Sequence, residues 1–264
     1  MIGRRQPAPD PLVRDPLAHD ARPVIVLDGL ERTYPGPEPV QAVRHVDLVI
    51  RRGDFAAIVG PSGSGKSTLL NVLGLLDTPT AGRYVLDGID TGPLRPAERA
   101  ALRGGRIGFV FQSFHLLPNR TALDNVALAG TYASTPRKVR LARAAEAIDM
   151  VGLSHRAGFL PSVMSGGERQ RLAIARALAG RPAVLLCDEP TGNLDSERSE
   201  EIVALFERMN ASGFTIVIVT HDEQLAARAG RRIEVRDGHV RDLDERYAEV
   251  GSAADLGASG SESR

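Results

Sequence analysis

One octapeptide constrains this chain more than anything else in it. Gly60-Pro61-Ser62-Gly63-Ser64-Gly65-Lys66-Ser67 matches G-x-x-x-x-G-K-[ST]. Glycines let the backbone curl tightly, so successive N–H groups can point inward at phosphate oxygens. The apolar run Phe55–Val59 before the loop reads as a buried strand, and the stretch from Lys66 to about Leu76 as a helix. That helix offers its positive end to the same phosphates. Lys66 then reaches the β- and γ-phosphates, and the Ser67 hydroxyl ligates Mg²⁺. A random chain of this length meets the pattern about 2% of the time, so context decides. Of 33 basic residues only Lys66 and Lys138 are lysines, and one stands where the pattern needs it.

Short apolar runs recur along the chain. Val24–Leu27, Val46–Ile50, Ile107–Phe111, Val184–Cys187 and Thr215–Val219 read as strands, the last three as buried parallel ones. Helices are expected near Thr121–Ala129, Arg137–Val151, Gly167–Leu178 and Glu197–Asn210. Strands alternating with helices predict an α/β fold with a mostly parallel sheet. The stretch from about 113 to 164 has helices and no convincing strand, and reads as a helical insertion. Residues 1–22, rich in Pro, Asp and Arg, and residues 242–264, ending in Gly, Ser, Ala and Glu, read as loose tails.

Val184–Cys187 runs into two acids, Asp188 and Glu189. Carboxyl ends of parallel strands are where such folds bind ligands. Asp188 can hold Mg²⁺ there, and Glu189 can polarise the attacking water. These features define a nucleoside triphosphatase without choosing among kinase, GTPase, helicase and transport ATPase.

The choice comes from a resemblance. Val163-Met164-Ser165-Gly166-Gly167-Glu168-Arg169-Gln170 resembles the signature motif of ABC ATPases, usually written LSGGQ, with Met164 for Leu and Glu168 for Gln. Gln112 matches that family's Q-loop glutamine, Gly192-Asn193-Leu194-Asp195 its D-loop, His221 its switch histidine and Tyr34 the aromatic that stacks on adenine. The resemblance covers about residues 24–241. It implies a P-loop fold with a mostly parallel core sheet, an N-terminal antiparallel β part and a helical subdomain at about 113–165, inside a nucleotide-binding domain at 23–241. It implies ATP and Mg²⁺ as ligands. Nucleotide contacts are expected at Tyr34, Gly60, Pro61, Ser62, Gly63, Ser64, Gly65, Lys66, Ser67 and Thr68, and from a second copy at Ser165, Gly166, Gly167 and Asp195. Metal contacts are expected at Ser67, Gln112 and Asp188, and catalytic roles at Glu189, His221 and Gln112.

Phe109–Pro118, Asp188–Ser196 and Asn71–Asp77 are similar to the macrolide-export and lipoprotein-release group of that family. The group also includes a cell-division ATPase that controls wall hydrolases. The resemblance implies a homodimer at the cytoplasmic face of the cell membrane. A separate permease would dock near Ser113–Pro118, with Phe114, Leu116 and Leu117 as apolar contacts. The alternative is a regulatory module that gates a wall hydrolase without transport. A third class, soluble ABC ATPases of DNA or ribosomes, fits poorly: long coiled coils and a second ATPase domain are missing. Formal net charge is zero, which also gives no pull toward nucleic acid. No apolar run approaches the roughly 18 residues of a membrane span. One cysteine, Cys187, excludes an internal disulfide.

Overall fold

The computed structural model describes residues 22–131 and 135–244. The two tails expected from the sequence therefore lie almost wholly outside the described residues. β-Branched residues recur between Val24 and Ile50, and that stretch forms two long antiparallel strands, β1 (Pro23–Tyr34) and β2 (Val40–Arg51). Both run well past the short strands expected, because their outer ends are only half-buried and lose the apolar pattern. β3 (Phe55–Val59) is buried at every position and feeds the glycine loop into α1 (Lys66–Leu73). That helix stops three residues earlier than expected, at Gly74, and Leu75 turns left-handed with φ 53°. A hairpin, β4 (Ala81–Leu86) and β5 (Ile89–Asp90), follows, then α2 (Pro96–Arg106). None of these three was expected. α2 buries no residue fully and packs only Leu102 against the core, so little apolar pattern marks it.

β6 (Ile107–Phe111) matches its expected bounds. The helical part then carries α3 (Ala122–Ala127), α4 (Arg137–Met150), two single turns at Ser154–Arg156 and Pro161–Val163, and α5 (Gly166–Ala179). The chain returns to the sheet through β7 (Val184–Asp188), α6 (Ser196–Ala211), β8 (Ile216–Val219), α7 (Glu223–Arg228), β9 (Arg231–Arg236) and β10 (His239–Asp242). The last three elements also went unread. Asp242, expected in a tail, closes β10 and pairs with buried Arg231.

Two sheets result. One is antiparallel in the order β2-β1-β4-β5, and the other runs β10-β9-β3-β8-β7-β6 with β9 through β6 parallel. Side chains of the parallel strands alternate between two cores. Leu185, Cys187, Ile216 and Ile218 face the helical layer of α3 to α6. Val184, Leu186, Val217 and Val219 face α1 and the antiparallel sheet. Both faces are covered, and that is why these strands read as unbroken apolar runs. The arrangement brings the ends of β3, β8 and β7 side by side.

Candidate functional site

The glycine loop leaves β3 under tight steric control. Gly60 has φ 152°, and a β-carbon there would lie 2.0 Å from the Val235 carbonyl oxygen; one on Gly65, at φ 108°, would lie 2.3 Å from that of Ala42. The loop is thus wedged between β2 and the β9–β10 hairpin, and Gly238 N–H donates to the Ser64 carbonyl at 2.9 Å. α1 begins with no side-chain cap and no acid in its first turn. Its first N–H groups and positive end therefore have no side-chain anion of their own. Lys66 Nζ donates only to the neutral carbonyls of Gly60 (2.7 Å) and Pro61 (2.8 Å). Pro61, Ser62, Gly63 and Ser67 are exposed, Thr68 is half-buried, and the buried Ser64 hydroxyl has no partner among the described residues. A cradle of donors without an anion fits phosphate.

Across the strand ends lie the acids. Burial, reinforced by neighbouring Glu189, pushes the Asp188 carboxyl above the usual range, while Lys66 partly offsets this. Glu189 follows with φ 45°, its N–H donating to the Val219 carbonyl at 2.9 Å. A left-handed non-glycine residue costs about 1–2 kcal/mol. Here that backbone aims the carboxylate at the end of β8. One oxygen accepts from the Thr220 hydroxyl (3.2 Å), and the other from His221 N–H (3.1 Å) and lies 2.7 Å from His221 Nδ1. Asp188, half-buried, and the Ser67 hydroxyl supply hard oxygen donors, and no cluster of three His, Cys, Asp or Glu exists among the described residues. Few protein oxygens on a cation that keeps water and phosphate ligands is the chemistry of Mg²⁺.

Not every expected residue converges here. Gln112, one residue past β6, is exposed and hydrogen-bonds to Asn193, not to Ser67 or Asp188. Ser165 N-caps α5 in a capping box: its oxygen accepts from Glu168 N–H (3.2 Å), and Glu168 accepts from Ser165 N–H (2.7 Å). The Ser165 amide and Arg156 hold the Glu168 carboxyl below its usual range against the effect of burial. Gly166 lies against Leu194, and Gly167 against the stem of Arg198. Asp195 N-caps α6 and pairs with Arg198 at 2.8 Å. A cleft of about 400 Å³ opens beside Ser165 and Gly167, and all its lining residues come from α5, α6 and their caps. Tyr34 sits at the end of β1 with its hydroxyl on Asp77 (2.8 Å) and the Arg32 guanidinium 4.4 Å from its ring centroid. One ring face is therefore taken, and a base has only the other.

Four residues of the site were not singled out. Thr220 orients Glu189, and Gly238 braces the loop. Gln170, fully buried, donates to the Pro190 carbonyl at 2.6 Å, and Asn193 grips Gln112. Gln170 and Asn193 stand inside the signature and D-loop stretches but were given no role, and Gly238 had the local signal of an Asp-Gly pair in a tight hairpin.

A phosphate cradle between strand and helix, facing acids on neighbouring strand ends, defines a P-loop nucleoside triphosphatase. The comparisons narrow the class. The ABC transporter family model matches residues 43–192. The uncharacterized ABC transporter ATP-binding protein YvrO of Bacillus subtilis is 47% identical over 224 residues, covering 84% of this chain and 97% of that one. The macrolide export ATP-binding/permease protein MacB of Rhodospirillum rubrum is 46% identical over 242 residues, covering 91% of this chain but 37% of its own length. A dimeric post-hydrolysis structure of the ATP-binding cassette MJ0796, bound to ADP and Pi, is 41% identical with a TM-score of 0.73, covering 83% of this chain and 99% of that one. The chain belongs to the ABC transporter family, as an ATP-hydrolysing subunit.

Proposed function

We propose that two copies of this chain close on two ATP molecules and drive a separate membrane permease, in the manner of the macrolide-export group. The observation that carries the dimer is the division of the site. The phosphate cradle and acids occupy one place, while Ser165 and Gly167 open onto a different cleft that none of the cradle residues lines. One chain holds two half-sites, and a two-fold dimer makes each whole. The dimeric relative supports this reading.

In each composite site Gly60 to Thr68 hold the phosphates, with Lys66 leaving its two carbonyl partners for the β- and γ-phosphates. Ser67 and Asp188 would hold Mg²⁺, whose charge would offset that of the phosphates, and Gln112 would join them on closure. Glu189 polarises the attacking water, and His221, already on the Glu189 carboxylate, turns to the γ-phosphate. Ser165 and Gly167 meet the γ-phosphate from the opposite copy, near Asp195. Tyr34 stacks its open face on adenine. The nucleotide-binding domain spans 23–241, with its helical subdomain at about 113–165.

Among the described residues no helix is long and apolar enough to cross a membrane. The permease would hold the ATPase at the cytoplasmic face of the membrane. An apolar patch supports a docking place beside Ser113–Pro118: Leu117, Phe159, Leu160 and Val163 are each more than 40% exposed. Leu117 N–H donates to the Asn125 side chain and Ala122 N–H to the Phe159 carbonyl, so both segments border α3. Leu116 belongs to the helical core instead, and Phe114 is half-buried under Arg169. Leu117 is the exposed apolar residue of that segment.

The test is Glu189→Gln, which keeps shape and removes charge. Size-exclusion chromatography with ATP should show a dimer, and hydrolysis should fall at least about 100-fold. A monomer with ATP and near-normal turnover would overturn the composite site.

A further inference from the structure

We propose that Asn193 is a positioning residue, a clamp that makes Gln112 and the loop ending at Asp195 move as one. The idea rests on the reading of Gln112 as the residue that reaches the metal. Asn193 and Gln112 lie 81 positions apart and exchange two hydrogen bonds. Asn193 Nδ2 donates to the Gln112 carbonyl at 2.9 Å, and Gln112 Nε2 donates to Asn193 Oδ1 at 3.3 Å. The Gln112 side chain also lies flat on Gly192, where a β-carbon would come within 2.8 Å of Nε2.

The two bonds have different strengths and different jobs. The 2.9 Å bond grips the backbone of Gln112; the 3.3 Å bond is long and exposed, and restrains only its amide. The amide can therefore leave for another ligand while the backbone stays attached. The other end of the clamp is firm. Gly192 N–H donates to the Glu189 carbonyl, Leu194 N–H to that of Thr191, and Asp195 caps α6. Any shift of the Asp195 loop when a second copy docks is thus delivered to Gln112, whose reach to the metal depends on it. Asparagine suits the position because it donates and accepts at once; aspartate accepts only.

Asn193→Ala, Asn193→Asp and Gln112→Ala, with the Gln112→Ala/Asn193→Ala double variant, test the clamp. Asn193 is exposed, so the variants should fold, and their melting temperatures check this. Hydrogen–deuterium exchange of nucleotide-free protein reads the clamp itself: both Asn193 variants should exchange faster across 112–115 and unchanged across β7. Magnesium titration of ATP hydrolysis reads the coupling. Asn193→Ala should raise half-saturating Mg²⁺ about 3- to 10-fold, the worth of one or two hydrogen bonds, with little change in KM for ATP. It should add nothing in the Gln112→Ala background. Unchanged exchange, or effects that multiply in the double variant, overturn the clamp. If Gln112→Ala alone leaves the Mg²⁺ dependence unchanged, the metal reading of Gln112 fails, and exchange still decides whether the clamp exists.

Discussion

Asp188 shows how a functional residue is held against its own stability. Its carboxyl titrates above the normal range because burial and Glu189 disfavour its charge. A group whose folded pKa is raised contributes full stability below its unfolded pKa. That contribution is lost as pH rises through the folded value. Above that value the ionised side chain is therefore a cost, which the proposed hold on Mg²⁺ would offset. Asp188→Asn should melt higher than the parent at pH 7.5, by about 2–4 °C for each kcal/mol relieved. The gap should close as pH falls through the raised folded pKa and the parent carboxyl takes up its proton, and hydrolysis should be lost throughout. Scanning calorimetry across pH, paired with phosphate release, decides it; an Asn variant that melts lower at neutral pH would contradict the argument. Asp188 and Glu189 were legible as acids at a strand tip. The direction Glu189 takes was not, because its left-handed backbone and its bonds to Thr220 and His221 depend on the neighbouring strand.

At the scale of elements, α5 carries a cap that the signature motif does not require. Glu168 stands where the family pattern has glutamine, and either residue can close a capping box with Ser165. Glutamate adds an ion pair with Arg156 at 2.9 Å. Glu168→Ala should lower stability by about 1 kcal/mol through loss of the cap. Glu168→Gln should lose less than about 1 kcal/mol, the worth of a part-exposed pair, and keep hydrolysis. The folded carboxyl is depressed, so its contribution is present above the unfolded pKa and vanishes as pH falls through the folded one. The Gln variant and the parent should therefore converge in acid, as thermal melts can show. Equal losses for Ala and Gln would mean that the charge, not the cap, matters. The hairpins β4–β5 and β9–β10 went unread although each carries an Asp-Gly pair, Asp87-Gly88 and Asp237-Gly238, whose aspartates take positive φ. α2 was hard to read for a physical reason: it buries no residue fully and sets only Leu102 against the core.

For the molecule as a whole, the test is whether the apolar patch beside α3 holds the permease. Leu117→Asp with Phe159→Asp places charge on two surface residues that touch neither the cradle nor the acids. The pair should release the ATPase from detergent-solubilised permease and leave its basal hydrolysis within about twofold, as exposed sites away from the chemistry allow. Full co-purification would put the docking surface elsewhere. What the sequence alone determined was local: the glycine loop, the buried strands β3, β6, β7 and β8, and the order of motifs. Each depends on neighbouring residues whose backbone needs and apolar spacing are written in a short stretch. Tertiary structure decided which distant groups meet. Sheet order sets β7 between β6 and β8, so Gln112 finds Asn193 and Glu189 finds His221. It also turned Leu116 into the core and left Leu117 outside. Side-chain chemistry is read along the chain, but contact is set by strand order, and no local preference encodes which strand lies beside which.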